Sequence, residues 1–254
     1  MIDRRRSISR LLLLVSILFL AGGLAHGAPG GGFLGIGETK GSAGTNLSVP
    51  LRIALSLTLL SFLPSLVVAL TPFLRITVVL HFLRQALGTQ STPSNQVLVG
   101  LALFLSLVIM QPVGQEIYKS AWVPLDEGKI TTSQAMTNAS QPVKRFMVRF
   151  AREKDIQLFV EITKAQPPRN AMDLDFTVLA PAYILSELKA GFQIGAVLYL
   201  PFLIVDIVVA SITLSIGMVQ LPPVMISAPF KLLLFVLVDG WNLVLGALVK
   251  TFYS

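Results

Sequence analysis

The stretch that decides the fold runs from Ala190 to Phe230 and reads AGFQIGAVLYLPFLIVDIVVASITLSIGMVQLPPVMISAPF. It contains one charged side chain, that of Asp206. A membrane-spanning helix needs about 20 apolar residues, so a stretch roughly twice as long must fold back on itself. Pro222 and Pro223 lie where the chain would turn, because proline ends or kinks a helix. We therefore predict a helical hairpin whose corner lies at this proline pair.

The composition is that of a membrane protein. Apolar residues make up 54% of the 254 residues, and charged residues make up only 13%. An average soluble domain carries about 25% charged residues, so this chain cannot cover a globular surface with charge. Its apolar content is also far above that of a disordered protein. The composition therefore excludes both a soluble globular enzyme and an intrinsically disordered chain.

Two shorter apolar runs predict a first helical hairpin over residues 51–111. The run between Arg52 and Arg75 carries no charge and is long enough for one helix at membrane depth, although Pro64 and Pro72 favour kinks. The next run, Val97–Met110, is short for a lone span. Kinked backbone at membrane depth must be covered by other protein, so we expect this hairpin to be buried in an assembly.

The remaining segments complete the predicted domain plan. A second hairpin over residues 181–254 contains the opening stretch and a fourth apolar run, Leu232–Val249. Between the hairpins lies a polar insert, residues 112–180. Its apolar side chains recur with helical spacing at Val143, Phe146, Met147, Phe150, Ile156, Phe159 and Val160. We predict an all-α membrane protein with about four apolar helices in hairpins. Its small helical insert would pack this face inward or, alternatively, lie on a membrane surface.

The start of the chain, residues 1–27, has the pattern of a secretory signal peptide. Basic residues between Arg4 and Arg10 precede an apolar core, Leu11–Leu20, and a small-residue segment that ends at Gly27. The alternative is an uncleaved transmembrane helix, but a core of this length covers about 15 Å, half of a hydrocarbon core. Cleavage would leave a flexible Gly/Ser/Thr-rich tail, residues 28–50, outside the cytoplasm. Four passes then make the insert extracytoplasmic as well.

Few residues are available for catalysis or metal binding. The chain has no cysteine and two histidines, His26 and His81. It contains no HExxH, GxxxxGK[ST] or GxGxxG pattern. We therefore expect no enzyme activity, no metal and no cofactor. The net charge is +7, but the basic residues cluster at the start of the chain and in loops, so nucleic-acid binding is not indicated.

Charged residues within the apolar runs are the candidate functional residues. Asp206 and Asp239 would each cost about 2.5–3.5 kcal/mol at membrane depth, so we expect them to face protein or water. Asp206 has three interpretations: a proton or ion relay, a buried hydrogen-bond partner between subunits, or a site near the bilayer edge. Lys231 lies two helical turns before Asp239, too far for a relaxed ion pair. We group these three residues with Arg75 as candidate buried polar residues of the assembly.

Small and basic residues indicate how the helices pack and which way they point. Gly191 and Gly195 form a small-xxx-small pair, which allows one helix to approach another closely. Arg75, His81 and Arg84 follow the first apolar run without a nearby acid, which is typical of a cytoplasmic side. We therefore predict that the connection after the first run and the proline corner are both cytoplasmic.

Three longer motifs stand out along the chain. Residues 181–195 read PAYILSELKAGFQIG. The proline pair at 222–223 is followed at residues 229–241 by PFKLLLFVLVDGW. Residues 83–90 read LRQALGTQ and are followed by Pro93 and by NQVL at 95–98. From about Leu60 onward, with the motifs in the family's order, the chain closely resembles the FliP/SctR export-gate family.

The resemblance implies a core subunit of the type III export gate at the base of the bacterial flagellum. Members of this family form a ring, taken here as a pentamer, together with FliQ- and FliR-like subunits. Unfolded flagellar export substrates pass through the middle of that ring. FlhA- and FlhB-like proteins are further implied partners in export. The implied location is the bacterial inner membrane, within the flagellar basal body.

The family also carries a methionine-rich constriction just before its Pro-Pro corner. In this chain that place reads Met218, Val219, Gln220 and Leu221, and only Met218 matches the methionine run. The resemblance implies that these residues form the gate. Two alternative functions stay open: a small-solute or ion transporter that uses Asp206, and a structural scaffold of the basal body.

We predict that the mature chain begins near Ala28. A basic segment, a short apolar core and a small-residue site are together the features that direct secretion and cleavage. N-terminal sequencing of the protein extracted from membranes measures the outcome, and a chain that still starts at Met1 would contradict the prediction.

Overall fold

The structure, a computed structural model, describes residues 49–89, 91–164, 170–217 and 222–253. The chain divides into two compact units, residues 1–51 and 52–254, and nearly all described residues belong to the second. The predicted signal peptide lies outside the described residues, as does all but the last two residues of the predicted tail.

The described residues form helices and no strands, which confirms the predicted all-α class. The α-helices are α1 Val49–Ala69, α2 Phe73–Ala86, α3 Asn95–Ile117, α4 Val123–Asp126, α5 Thr132–Phe150, α6 Glu153–Thr163, α7 Phe176–Ser215, α8 Pro223–Leu237 and α9 Gly240–Lys250. A π-helical turn, Tyr118–Trp122, joins α3 to α4, and a short 3-10 turn, Ala171–Asp173, precedes α7.

Two of these helical segments are long and apolar enough to cross a membrane. They are the stretch from Asn95 to Asp126, in which α3 continues into α4, and the 40-residue α7. Two further pairs qualify only when each is taken together: α1 with α2, bent by 64°, and α8 with α9, bent by 68°. The described chain therefore has two apolar spans, or up to four if each bent pair counts as one.

The third helix is longer than the run Val97–Met110 predicted. It continues to Ile117 with Pro112 inside it. A proline removes one backbone donor but does not end a helix that other contacts support. Here Glu116, in the last turn of α3, forms an ion pair with Arg145 of α5. The polar residues after Met110 therefore extend the helix alongside the insert.

The fourth apolar run does not form one helix. α8 ends at Leu237, and α9 begins at Gly240 after Asp239, whose backbone is left-handed with φ of 50°. A Cβ atom at Gly240 would lie 2.2 Å from the Phe235 ring, so the bend needs a glycine at this position. The break is set by this close contact, which hydrophobicity alone does not reveal.

The insert also divides differently from the prediction. Its apolar pattern forms two helices, α5 and α6, which are separated by extended backbone at Ala151 and Arg152. α7 begins at Phe176, so the boundary predicted at residue 181 falls inside this helix. The apolar face of the insert packs inward: Met147 is fully buried in a cluster with Leu174, Val178, Leu179 and Tyr183. The insert therefore packs on the first half of α7.

α2 and α7 form the central contact of the described chain and run parallel to each other. Arg75 meets Glu187, and one and two turns further along both helices Gly191 lies against Val78 and Gly195 against Phe82. A Cβ atom on Gly191 would lie 3.0 Å from the Val78 Cβ, and one on Gly195 would lie 2.5 Å from the Phe82 ring. The two glycines thus sit where the helices come closest.

We expect Gly195→Ala to lower the free energy of unfolding by about 1–3 kcal/mol, because the added methyl group overlaps the Phe82 ring at its base. Gly246→Ala is the matched control, since it lies in the apolar helix α9 with nothing near its Cβ position. Denaturant unfolding of the detergent-solubilised chains compares the two variants, and equal stabilities would contradict the prediction.

Candidate functional site

The candidate site is the hairpin formed by α7 and α8. α7 ends at Ser215, Gly217 takes a left-handed conformation with φ of 81°, and α8 begins at Pro223 with Pro222 before it. The two helices are antiparallel, since Phe202 contacts Phe235 while Asp206 meets Lys231. The chain therefore reverses between residues 215 and 223, around the predicted proline corner. The predicted gate residues Met218, Val219, Gln220 and Leu221 lie outside the described residues.

The sides of the hairpin are apolar and exposed in this chain. A groove between α7 and α8 is lined by Ile204, Val208, Ile212, Ile216, Ile226 and Phe230. Met225, just after the corner, is 71% exposed. Such a surface has no stable place in water and requires protein or lipid against it.

A buried charge cluster joins the two helices of the hairpin. The Lys231 ammonium donates to Asp206 Oδ2 at 2.6 Å, and the Ser227 hydroxyl donates to the other carboxylate oxygen. Lys231 is 1% exposed. Ser227 and Lys231 are four residues apart and therefore lie on the same face of α8. The partners of Asp206 thus come from its own chain, and Lys231 pairs with Asp206 rather than with Asp239.

Asp239 occupies a different environment from the other three grouped residues. It is exposed at the bend between α8 and α9, and its side chain makes no capping hydrogen bond to α9. Asp239 therefore lies at a break between two helices. The interpretation of residues 232–249 as one continuous helix did not predict this position.

A second buried ion pair joins α2 to α7. Arg75 Nη2 donates to Glu187 Oε1 at 2.5 Å, and Glu187 is fully buried. Sequence reasoning grouped Arg75 with the buried polar residues but missed Glu187 as its partner. The available signal was the spacing of Tyr183, Glu187 and Gly191, which recur every four residues and so share one face of α7. Ions buried this completely are stable only when their partners stay in place.

A third polar cluster fastens the insert to α7. Ser186 Oγ donates to Asp155 Oδ2 at 2.7 Å and accepts from the Arg152 backbone N–H at 2.9 Å. Lys189 donates to the other Asp155 oxygen. Burial acts to raise the pKa of the Asp155 carboxyl group, but the hydrogen bonds from Lys189 and Ser186 and the charges of Lys189 and Arg152 outweigh it and lower the pKa.

The lowered pKa of Asp155 has a consequence for the pH dependence of this contact. A carboxyl group whose pKa is lower in the folded state binds protons less readily there than in the unfolded chain. Its contribution to stability is therefore present above its ordinary pKa and is lost as the pH falls through the lowered value. The contact is at full strength near neutral pH.

Within the described parts of the chain, no group of three or more metal-ligating side chains occurs.

Comparison with known proteins places this architecture in a family. The FliP family profile matches residues 56–248, a range that includes both buried ion pairs and the whole hairpin. The chain belongs to the FliP family. FliP-family membership confirms the resemblance drawn from the three sequence motifs.

Curated relatives extend over most of this FliP-family chain. The flagellar biosynthetic protein FliP of Bacillus subtilis (strain 168) is 49% identical over 207 residues, covering 82% of this chain and 94% of the relative. That of Cereibacter sphaeroides is 44% identical over 223 residues, covering 88% and 74%. That of Pectobacterium carotovorum subsp. carotovorum is 41% identical over 242 residues, covering 95% and 92%.

We expect Asp206→Ala to reduce the recovery of assembled complex and motility together. The substitution leaves the buried Lys231 ammonium without its partner, at a cost of about 1–3 kcal/mol. Removing both charges with Asp206→Ala and Lys231→Met should restore part of the loss, because no unpaired charge then stays buried. Complex yield after detergent extraction and swarming are the measurements.

Asp239→Asn is the control, since this carboxylate is exposed and asparagine tolerates the left-handed backbone at this position. An Asp206→Ala complex that assembles normally yet exports nothing would contradict the assembly role and favour the relay interpretation.

Proposed function

We propose that this FliP-family chain is a core subunit of the flagellar type III export gate, through which unfolded flagellar subunits leave the cytoplasm. The observation that carries the proposal is the α7–α8 hairpin: two antiparallel apolar helices, braced by a buried charge cluster, with exposed apolar sides. The names of the relatives support a role in building the flagellum. The chain acts as a channel component and carries out no reaction of its own.

The exposed apolar surface supports assembly into a ring. Large apolar side chains are exposed along α1, α3, α7 and α8, far beyond what a monomer in water can carry. Copies of this chain, in a pentamer as in its family, and FliQ- and FliR-like subunits would cover these faces. FlhA- and FlhB-like proteins would act with the ring in export. The assembly would lie in the bacterial inner membrane, within the flagellar basal body, and two to four apolar spans support that location.

The gate would be formed where the hairpin tips converge. Met218, Val219, Gln220 and Leu221 lie between the last residue of α7 and the first prolines of the corner, so each copy would present them at its tip. Flexible apolar side chains pack without directional bonds and change rotamer easily. A ring of them can exclude water and ions and still part for a chain in transit.

The contacts of Asp206 favour this function over a solute or ion carrier. Both of its carboxylate oxygens already accept hydrogen bonds, one from Lys231 and one from Ser227. These bonds occupy both oxygens and hold α7 and α8 together. The charge cluster therefore supports a bracing role within the hairpin.

We expect Met218→Ala combined with Val219→Ala to make the inner membrane leaky to ions, while motility survives at least in part. In a ring the lost side-chain volume is repeated in every copy, so a small local change opens a wide gap. Entry of ions or a small dye into cells that express the variant is the measurement. Met136→Ala is the matched control, because this methionine is exposed on the insert, away from the hairpin.

Two results, from two different measurements, would count against the gate residues and against the function itself. Unchanged permeability in a complex shown to be assembled would remove Met218 and Val219 from the gate, and Leu221 or a partner would then carry the seal. If the unaltered chain failed to co-purify with FliQ- and FliR-like subunits, the export-gate function itself would be overturned.

A further inference from the structure

The Arg75 guanidinium lies where four segments of the chain meet. Arg75 belongs to α2 and donates to Glu187 of α7. The Phe252 ring, which follows α9, lies 4.2 Å from the guanidinium carbon, and the Phe150 ring, at the end of α5, lies 5.5 Å from it. Arg75 Nη1 also donates to Thr251 Oγ1 at 3.2 Å. One cation thus contacts both hairpins, the insert and the segment after α9.

The segment after α9 is firmly placed on this cation. Phe252 is 3% exposed and packs with Leu248 into the core cluster that α2 and α3 share. Its ring also contacts Phe150 edge to face, with centroids 5.3 Å apart. The next residue, Tyr253, is 57% exposed. Phe252, which contacts Arg75, is therefore buried, whereas the next aromatic residue along the chain is not.

We propose that Phe252 is a positioning residue whose ring face holds the Arg75 guanidinium on Glu187. An aromatic ring carries negative charge density on its face and attracts a cation, most strongly where water is excluded. The Phe252 ring supplies such a face to a guanidinium that the Glu187 carboxylate binds through its Nη2 atom. It stabilises the buried charge without adding another ion, and it keeps water from competing for the Arg75–Glu187 pair.

The same contact ties the end of the second hairpin to the first. α9 bends away from α8 by 68°, and in the described residues Leu248 and Phe252 are its buried anchors. If the ring moves away from the cation, the hydrogen bond from Arg75 to Thr251 is the remaining polar contact described between α2 and the segment after α9, and the register of α2 on α7 loses one of its supports. This role belongs to the folding of the single chain and does not depend on the export-gate function.

The experiment replaces Phe252 with mono-, di- and trifluorophenylalanine in the full chain, which weakens the negative ring face stepwise with little change of shape. Reversible unfolding of the purified chain in detergent gives the equilibrium constant. We expect this constant to rise with each fluorine, up to roughly tenfold for the trifluoro variant. The same series at Phe235 is the matched control, because that ring is about equally buried and packs against Phe202, Trp241 and the Gly240 backbone, with no cation over its face among the described residues.

Equal effects at the two positions, or no trend at Phe252, would overturn the proposal and leave Phe252 as a packing residue. A second comparison guards against a general packing effect. Phe252→Leu should destabilise the chain, and its effect should shrink several-fold when Arg75→Met and Glu187→Met have already removed the ion pair. Tyr253→Leu should change neither measurement. An undiminished effect of Phe252→Leu in the uncharged background would also contradict the role.

Discussion

The burial of the Arg75–Glu187 ion pair is the constraint on which the rest of the fold depends. A pair this deep must keep its partners aligned, because separating them leaves an uncompensated charge in an apolar interior. Alignment fixes the parallel register of α2 on α7. That register brings Gly191 and Gly195 to the points of closest approach, where larger side chains would not fit. The aromatic rings of Phe150 and Phe252 then enclose the cation.

The sequence predicted those features that depend on composition and local pattern. The lack of charge correctly indicated an all-α chain. The proline pair and the two glycines were the local signals for a turn near Pro222 and for a close helix contact. The sequence could not predict where the apolar runs divide into separate helices or how far each helix extends. α8 and α9 separate because the backbone at Gly240 lies against Phe235, a contact that forms only in the folded chain. α3 extends past Met110 to Ile117, and its last turn contacts another helix through the Glu116–Arg145 ion pair.

For the charged residues, the sequence likewise identified individual residues but not the partners with which they form ion pairs. Hydropathy identified Asp206 and Lys231 as costly residues, but their pairing depends on how α7 and α8 line up after the turn. Glu187 was harder still, because its partner Arg75 lies 112 residues earlier in the chain. The sequence separation of two residues does not indicate whether they are in contact over such a distance. The residues that share one helix face with Glu187 can be identified from the sequence, but its partner on another helix cannot. The tip, residues 218–221, stays a prediction from the family resemblance.

The distribution of acids and bases along the chain has a consequence for synthesis and membrane insertion. Two acids lie on α7, the fully buried Glu187 and the partly buried Asp206, while their basic partners lie on α2, made earlier, and on α8, made later. A nascent α7 that entered lipid alone would carry a carboxylate whose counterion has not yet been translated, at about 2.5–3.5 kcal/mol on insertion scales. Insertion of α7 and α8 together as one electrically neutral hairpin, against an α2 already in place, avoids that cost. From the order of the charges we expect α7 to take its final position in the membrane only after Lys231 has been translated.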